Sequence, residues 1–274
     1  MLEMTEAPDL EAVKQVQQRI WSQGDFAKIG VSAQIVAEEL CEAVDVLPGE
    51  RVLDVACGAG NGAIAAARRY TQAVGVDYVP ALLERARERA AAEGYEIEFV
   101  EGDAEALPFE DGSFDAVLST FGVMFAPNQQ RAADELVRVC KPGGRIGVAN
   151  WTPEGLVGGG VFAVTAKHAP PPPGVLPPPL WGTEERLREL FGDRVSELRL
   201  EKRHLTFRYH SPEQWLDFFR TYFGPIKVAF ERVGEDGAGA LENDLLELMR
   251  SHNRAGERAL VAPAEYAEVV AVRV

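Results

Sequence analysis

One stretch limits what this chain can become more than any other: Arg51-Val-Leu-Asp-Val-Ala-Cys-Gly-Ala-Gly-Asn-Gly62. It begins as an apolar run, Val52, Leu53, Val55 and Ala56, interrupted by a single carboxylate, Asp54. Glycines then stand at alternate positions, Gly58, Gly60 and Gly62, and an alanine-rich segment follows from Ala63. The pattern reads as a buried strand, a tight turn and a helix start. Glycine suits such a turn where φ is positive or where a ligand lies against bare backbone. The first N–H groups of the helix then face whatever is bound. A nucleotide-binding loop and a turn that serves packing alone both fit. Gly58, Gly60 and Ala63 also match the loose dinucleotide fingerprint G-x-G-x-x-G/A.

Two further stations narrow the choice. Ala73-Val-Gly-Val-Asp77 is a second buried strand ending in a carboxylate. It falls about twenty residues after the glycines, where an acid accepts hydrogen bonds from ribose hydroxyls. That serves NAD and S-adenosylmethionine equally. A third strand, opening at Ile97, leads to Asp103 and continues Ala104-Glu105-Ala-Leu-Pro-Phe109. A carboxylate at this point can accept from the exocyclic amine of adenine, and the next backbone N–H can reach a ring nitrogen. An ordinary solvated turn residue is the alternative for Asp103.

Together with Ser113-Phe-Asp115 and Leu136-Val-Arg-Val-Cys-Lys-Pro-Gly-Gly-Arg145, these motifs resemble the class I S-adenosylmethionine-dependent methyltransferases. They are most similar to the branch that contains the ubiquinone and menaquinone C-methyltransferases. The likeness covers roughly residues 45 to 151 and carries the cofactor, not the acceptor. It implies an α/β fold: a Rossmann-like, mostly parallel seven-stranded sheet with helices on both faces and a helical cap. It implies S-adenosyl-L-methionine as cofactor and S-adenosyl-L-homocysteine as product. Asp54 would orient the loop or reach the methionine amine, and Ala56, Gly58 and Gly60 would let backbone pass close to the amino-acid end. Asp77 and Tyr78 would hold the ribose, and Asp103, Ala104 and Glu105 the adenine side. Ser119, Thr120 and Phe121, at the end of the fourth strand, would face the methionine half or the adenine ring. The expected reaction is in-line methyl transfer to a small apolar or aromatic acceptor, a quinol or specialised metabolite, at carbon or oxygen. An NAD-linked oxidoreductase and a non-catalytic S-adenosylmethionine-binding protein are the competing readings.

With 274 residues, 46% of them hydrophobic, the chain can bury one sizeable core or one core plus a cap. A net charge of −15 with no Lys/Arg cluster argues against nucleic acid as a partner. The run Glu84-Arg-Ala-Arg-Glu-Arg89 mixes signs and reads as a solvated helix face. Cys41, Cys57 and Cys140 are scattered and form no C-x-x-C pair, so neither a metal site nor a disulfide framework is expected. No signal peptide and no membrane-spanning run are read, which makes a cytoplasmic monomer or homodimer the expectation.

In chain order, residues 1–46 read as N-terminal helices over the cofactor mouth, and 47–151 as the cofactor-binding core. Residues 152–182 read as a Pro/Gly-rich active-site loop, and 183–274 as the end of the sheet with a helical substrate-cap insertion at about 210–262. Trp21 and Phe26 are placed in the substrate pocket with Trp151, Trp215, Phe219 and Tyr222. Helix segments are expected over Pro225–Val233 and Ala240–His252, with a glycine-rich break between them, and a last strand over Tyr266–Val274. Should the acceptor need a general base, the candidates are His168, His204, His210 and Tyr222, although no spacing ties any two of them together.

Overall fold

The computed structural model describes residues 8–274. The expected N-terminal segment 1–46 begins with seven residues that lie outside the described ones. Helix α1 (Leu10–Ser22) starts at Asp9, whose carboxylate accepts the N–H groups of Glu11 and Ala12 at 3.1 Å. Helices α2 (Phe26–Gly30) and α3 (Gln34–Val44) follow and lead into the sheet.

The sheet alternates with helices: β1 (Arg51–Val55), α4 (Asn61–Ala67), β2 (Gln72–Asp77), α5 (Pro80–Ala92) and β3 (Glu98–Glu101). It continues through β4 (Phe114–Thr120), α6 (Gln129–Val139) and β5 (Cys140–Trp151). Helices α7 (Phe162–His168) and α8 (Glu184–Phe191) precede β6 (Val195–Tyr209). Helices α9 (Pro212–Tyr222) and α10 (Gly224–Ser251) precede the last strand, β7 (Leu260–Arg273).

Strand order is β3-β2-β1-β4-β5-β7-β6, parallel except for β7, which runs against both neighbours. The chain winds one way from β1 to β2 and the other way from β4 to β5. Right-handed crossovers therefore put α4 and α6 on opposite faces. The order reverses between β1 and β4, which opens a crevice at the carboxyl ends of those strands.

Three segments depart from the sequence expectation. The stretch 152–182 is not all loop: Leu156–Val161 forms a wide helical turn that runs into α7. Its buried Leu156, Val157 and Val161 give it an apolar face. The glycine-rich break is a single kink at Gly234 (φ 65°), and the residues after it are helical. Strand β7 begins at Leu260, earlier than expected, despite Pro263. The missing N–H is tolerated because β7 pairs there with β6 alone; its pairing with β5 starts at Tyr266.

Two backbone contacts position the site. A Cβ on Gly122, just after β4, would lie 2.3 Å from the Ala56 carbonyl oxygen, so the loops after β1 and β4 meet main chain to main chain. A Cβ on Gly24 would lie 2.2 Å from the Tyr222 carbonyl oxygen, and one on Gly224 would lie 2.1 Å from the Ile20 carbonyl oxygen. The end of α1 and the α9–α10 junction are thus pressed together through a glycine from each side. Gly122→Ala forces the β1 and β4 loops apart and is expected to lower stability by about 1–3 kcal/mol, the scale of overpacking. Urea unfolding of the variant and the parent measures the difference.

Candidate active site

The loop after β1 is held by two buried carboxylates. Asp54 Oδ2 accepts the Ala63 N–H at 2.8 Å, which caps the first turn of α4. Gly62 lies against that carboxylate so closely that a Cβ would sit 2.6 Å from its Cγ. From the end of β2, Asp77 Oδ2 accepts the Gly58 N–H at 2.8 Å, and Oδ1 accepts the Val79 N–H at 2.9 Å. The loop residues take the left-handed conformations such a turn needs: Ala56 (φ 51°), Gly58 (φ 53°) and Gly60 (φ 83°). Only the first lacks glycine's freedom, at a cost of order 1–3 kcal/mol.

Burial pushes Asp54 up to about 7, against the favourable bond from Ala63, with the nearby Asp77 charge adding to the rise. Asp77 rises to about 6, again through burial and against its backbone bonds.

Two cavities open at the crevice. The first, of about 880 Å³, is lined by Asp54, Ala56, Gly58, Asp77, Tyr78, Asp103, Ala104, Thr120 and Phe121, all named from the sequence. The second, of about 690 Å³, is lined by Trp21, Phe26, Trp151, Trp215 and Phe219 of the expected substrate pocket. Trp21, Phe26, Gly30, Asn61, Thr120, Phe121 and Phe125 border both. Phe121 (φ 55°) stacks on Trp151 with centroids 3.9 Å apart and planes 6° apart. Trp21 meets Phe26, Phe125 and Phe223 edge to face.

Other expected residues lie behind the walls. Gly60 brings α4 against Ala86 and Phe99, 3.1–3.2 Å from where its Cβ would be. Ser119 donates to the Val55 carbonyl at 2.7 Å and accepts the Val123 N–H at 2.9 Å, tying β4 to β1. Glu105 accepts the Asn128 N–H at 2.7 Å and pairs with Lys14 at 2.8 Å. The four base candidates line neither cavity. His168 contacts Asp244 at 2.7 Å between α7 and α10. His204 lies in register with Glu265 on the outer β6–β7 ladder. His210 donates its backbone N–H to Gln214 Oε1 at 2.7 Å. Tyr222 packs on Phe218 and, unlike Trp215 and Phe219, does not line the second cavity.

The sequence reading missed Lys14 and Gln17 of α1, which line the first cavity, and Leu205, Phe207 and Phe223, which line the second. Lys14 Nζ donates to Asp103 Oδ2 at 2.6 Å. Burial alone would lower its ammonium, but the bonds to Asp103 and Glu105 outweigh that and raise it. Gln18 Nε2 donates to the Tyr78 carbonyl at 2.5 Å. The period-two alternation of Leu205 and Phe207 in β6 was the available signal for that wall.

A methyltransferase-domain family model matches residues 52–144, the span that carries the strands and loops just described. The chain is 38% identical over 252 residues to an uncharacterised protein of Mycobacterium tuberculosis, covering 90% of this chain and 92% of that one. It is 43% identical over 106 residues to the demethylmenaquinone methyltransferase of Thermus thermophilus, covering 38% of this chain and 48% of that enzyme. The fold is shared with the YcgJ protein of Bacillus subtilis: TM-score 0.61, 21% identity, 86% of this chain and 97% of that one. Residues 52–144 are a methyltransferase domain, and the chain is a methyltransferase.

Among the described residues of this methyltransferase, no group of three or more His, Cys, Asp or Glu is placed to hold a metal ion, and no helix is long and apolar enough to cross a membrane. The first cavity fits the family's cofactor by its donor and acceptor set. Asp54 Oδ1 and Gln17 Oε1 are buried on its lining without a partner. The Asp77 oxygens each accept one backbone N–H and retain a second lone pair.

The raised Asp54 has a consequence for stability. Between its ordinary 3.8 and about 7, the folded state holds a proton that the unfolded chain has lost. The contribution of Asp54 is therefore fully present below 3.8 and is lost as pH rises through about 7. Relative to Asp54→Asn, the ligand-free protein is expected to lose stability steadily from pH 4 to pH 8. Urea midpoints of both proteins across that range measure it; a constant difference would contradict the assignment.

Proposed function

We propose that this chain binds S-adenosyl-L-methionine in the first cavity and methylates a small apolar or aromatic acceptor held in the second. The observation that carries the reading is the wall common to both cavities, formed by Thr120, Phe121 and Phe125 with Trp21 and Phe26 of the N-terminal helices. The cofactor supplies an electrophilic methyl group on a positively charged sulfur, so the protein's part is alignment and a dry site.

Asp77 would accept from the ribose hydroxyls and Asp54 Oδ1 from the methionine amine. Asp103, already bonded to Lys14, would accept from the adenine amine with its remaining lone pairs. The aromatic wall keeps water from the junction. Quinol C-methylation agrees with the partial likeness to demethylmenaquinone methyltransferase. O-methylation of a specialised metabolite agrees equally with the acceptor chamber, since the matched residues 52–144 end before Trp151, Phe207 and Trp215.

Calorimetry with S-adenosylmethionine, S-adenosylhomocysteine and NAD tests the reading. The first two are expected to bind and NAD not; preference for NAD, or no binding of the first two, overturns it. Methyl transfer to none of a broad acceptor panel, despite cofactor binding, would favour a sensor. Asp77→Ala is expected to weaken S-adenosylhomocysteine binding by about 1.5–3 kcal/mol, the scale of bonds to a charged group. Lys14→Met removes the cation that fastens α1 to Asp103 and Glu105. It is expected to speed S-adenosylhomocysteine release several-fold and to weaken the salt dependence of that rate, both read by stopped-flow fluorescence.

A further inference from the structure

The second cavity, the acceptor chamber of the proposed reaction, has a lining without ionisable side chains. Among the described residues, no Asp, Glu, His, Lys, Arg, Cys or Tyr borders it. Its walls are aromatic and aliphatic, from Phe26 and Phe125 at one end to Phe207, Trp215 and Phe219 at the other. Two of its polar side chains are already committed. Ser32 Oγ donates to the Ile29 carbonyl at 2.7 Å. Asn61 donates to the Gly30 carbonyl at 2.8 Å and accepts from Arg89 at 2.7 Å. Arg89 is occupied there and by the Ala59 carbonyl and Gln34, so its charge does not enter the chamber.

Two buried polar atoms on the lining residues have no partner. One is Thr120 Oγ1, on the wall shared with the cofactor cavity; the other is Trp215 Nε1, on a residue that borders the acceptor chamber alone. A buried donor without an acceptor is costly, and a ligand oxygen that accepts from it recovers the loss. An indole N–H can only donate, whereas a threonine hydroxyl can donate or accept. An anionic ligand would meet no cation on these walls, and burial of an unpaired negative charge is strongly disfavoured.

We infer that the chamber selects an uncharged aromatic ring bearing a hydroxyl or carbonyl oxygen, with Trp215 Nε1–H as the donor that anchors that oxygen and Thr120 Oγ1 as the polar contact beside the cofactor. Carboxylates and phosphates are excluded by the same walls, which offer an anion no cation. Since no lining side chain can take up a proton, the acceptor's nucleophilic atom relies on its own reactivity. The inference rests on the second cavity being the acceptor site of the proposed methyl transfer.

The test compares three ligands with one ring system: naphthalene, 2-naphthol and 2-naphthoate. Each is titrated at neutral pH into protein saturated with S-adenosylhomocysteine, with binding followed by ligand-detected NMR. 2-Naphthol is expected to bind roughly 3- to 10-fold tighter than naphthalene, the range for one recovered hydrogen bond. 2-Naphthoate is expected to bind at least about 10-fold more weakly than 2-naphthol. Trp215→Phe keeps a ring but deletes the N–H; it should equalise 2-naphthol and naphthalene while S-adenosylhomocysteine affinity stays unchanged. Equal binding of 2-naphthol and naphthalene to the parent protein, or tight 2-naphthoate binding, overturns the inference without a need for the variant. An advantage of 2-naphthol that survives Trp215→Phe overturns the role of the indole. Failure of S-adenosylhomocysteine to bind overturns the methyl-transfer reading and this inference with it.

Discussion

The bond from the Gly58 N–H to the Asp77 carboxylate fastens the loop after β1 to the end of β2, and the geometry of the crevice depends on it. Without that bond the positive-φ residues Ala56, Gly58 and Gly60 would have little to hold them in a turn that is unfavourable for at least the alanine. Asp54 repeats the device one layer down by capping Ala63. Both carboxylates are buried, and burial raises the proton affinity of each against the backbone bonds it accepts. Rigidity in this loop comes from acids accepting backbone N–H groups, not from hydrophobic packing alone.

The two cavities divide the work between different parts of the chain. The first cavity is built at strand ends, where a parallel sheet gathers loops from β1, β2, β3 and β4. The second cavity adds to the shared strand-end residues side chains from α2, the turn at Leu156–Val161, β6 and α9. Phe121 joins the two. Its backbone is in the left-handed region, its ring stacks on Trp151, and it borders both cavities.

Much of the first half was legible in the sequence because its constraints are local. A glycine loop after an apolar run, an acid at the end of β2 and the Gly102-Asp103 turn are each fixed by neighbours in the chain. The fourth strand ends at Thr120, within the stretch the sequence marks as its end. What escaped is non-local. Lys14 reads as one polar residue of an amphipathic helix, and nothing nearby in sequence says that it reaches Asp103, 89 positions away. The helical turn at Leu156–Val161 was obscured by three consecutive glycines, whose weak propensity is overridden by burial of the flanking apolar side chains. The histidines drew attention as the usual proton carriers, but their positions are set by ion pairs and ladders on the outside of the cap.

The paired close approach of Gly24 and Gly224 has a mechanical meaning. It rivets the C-terminal end of α1 to the α9–α10 junction, main chain against main chain, and Lys227 Nζ adds a bond to the Gln23 carbonyl at 3.2 Å. Helix α1 lines the first cavity through Lys14 and Gln17, while Phe223 at the junction lines the second. The two linings are parts of one jaw. A displacement of α1 would therefore carry Phe223 with it and change the shape of both cavities together.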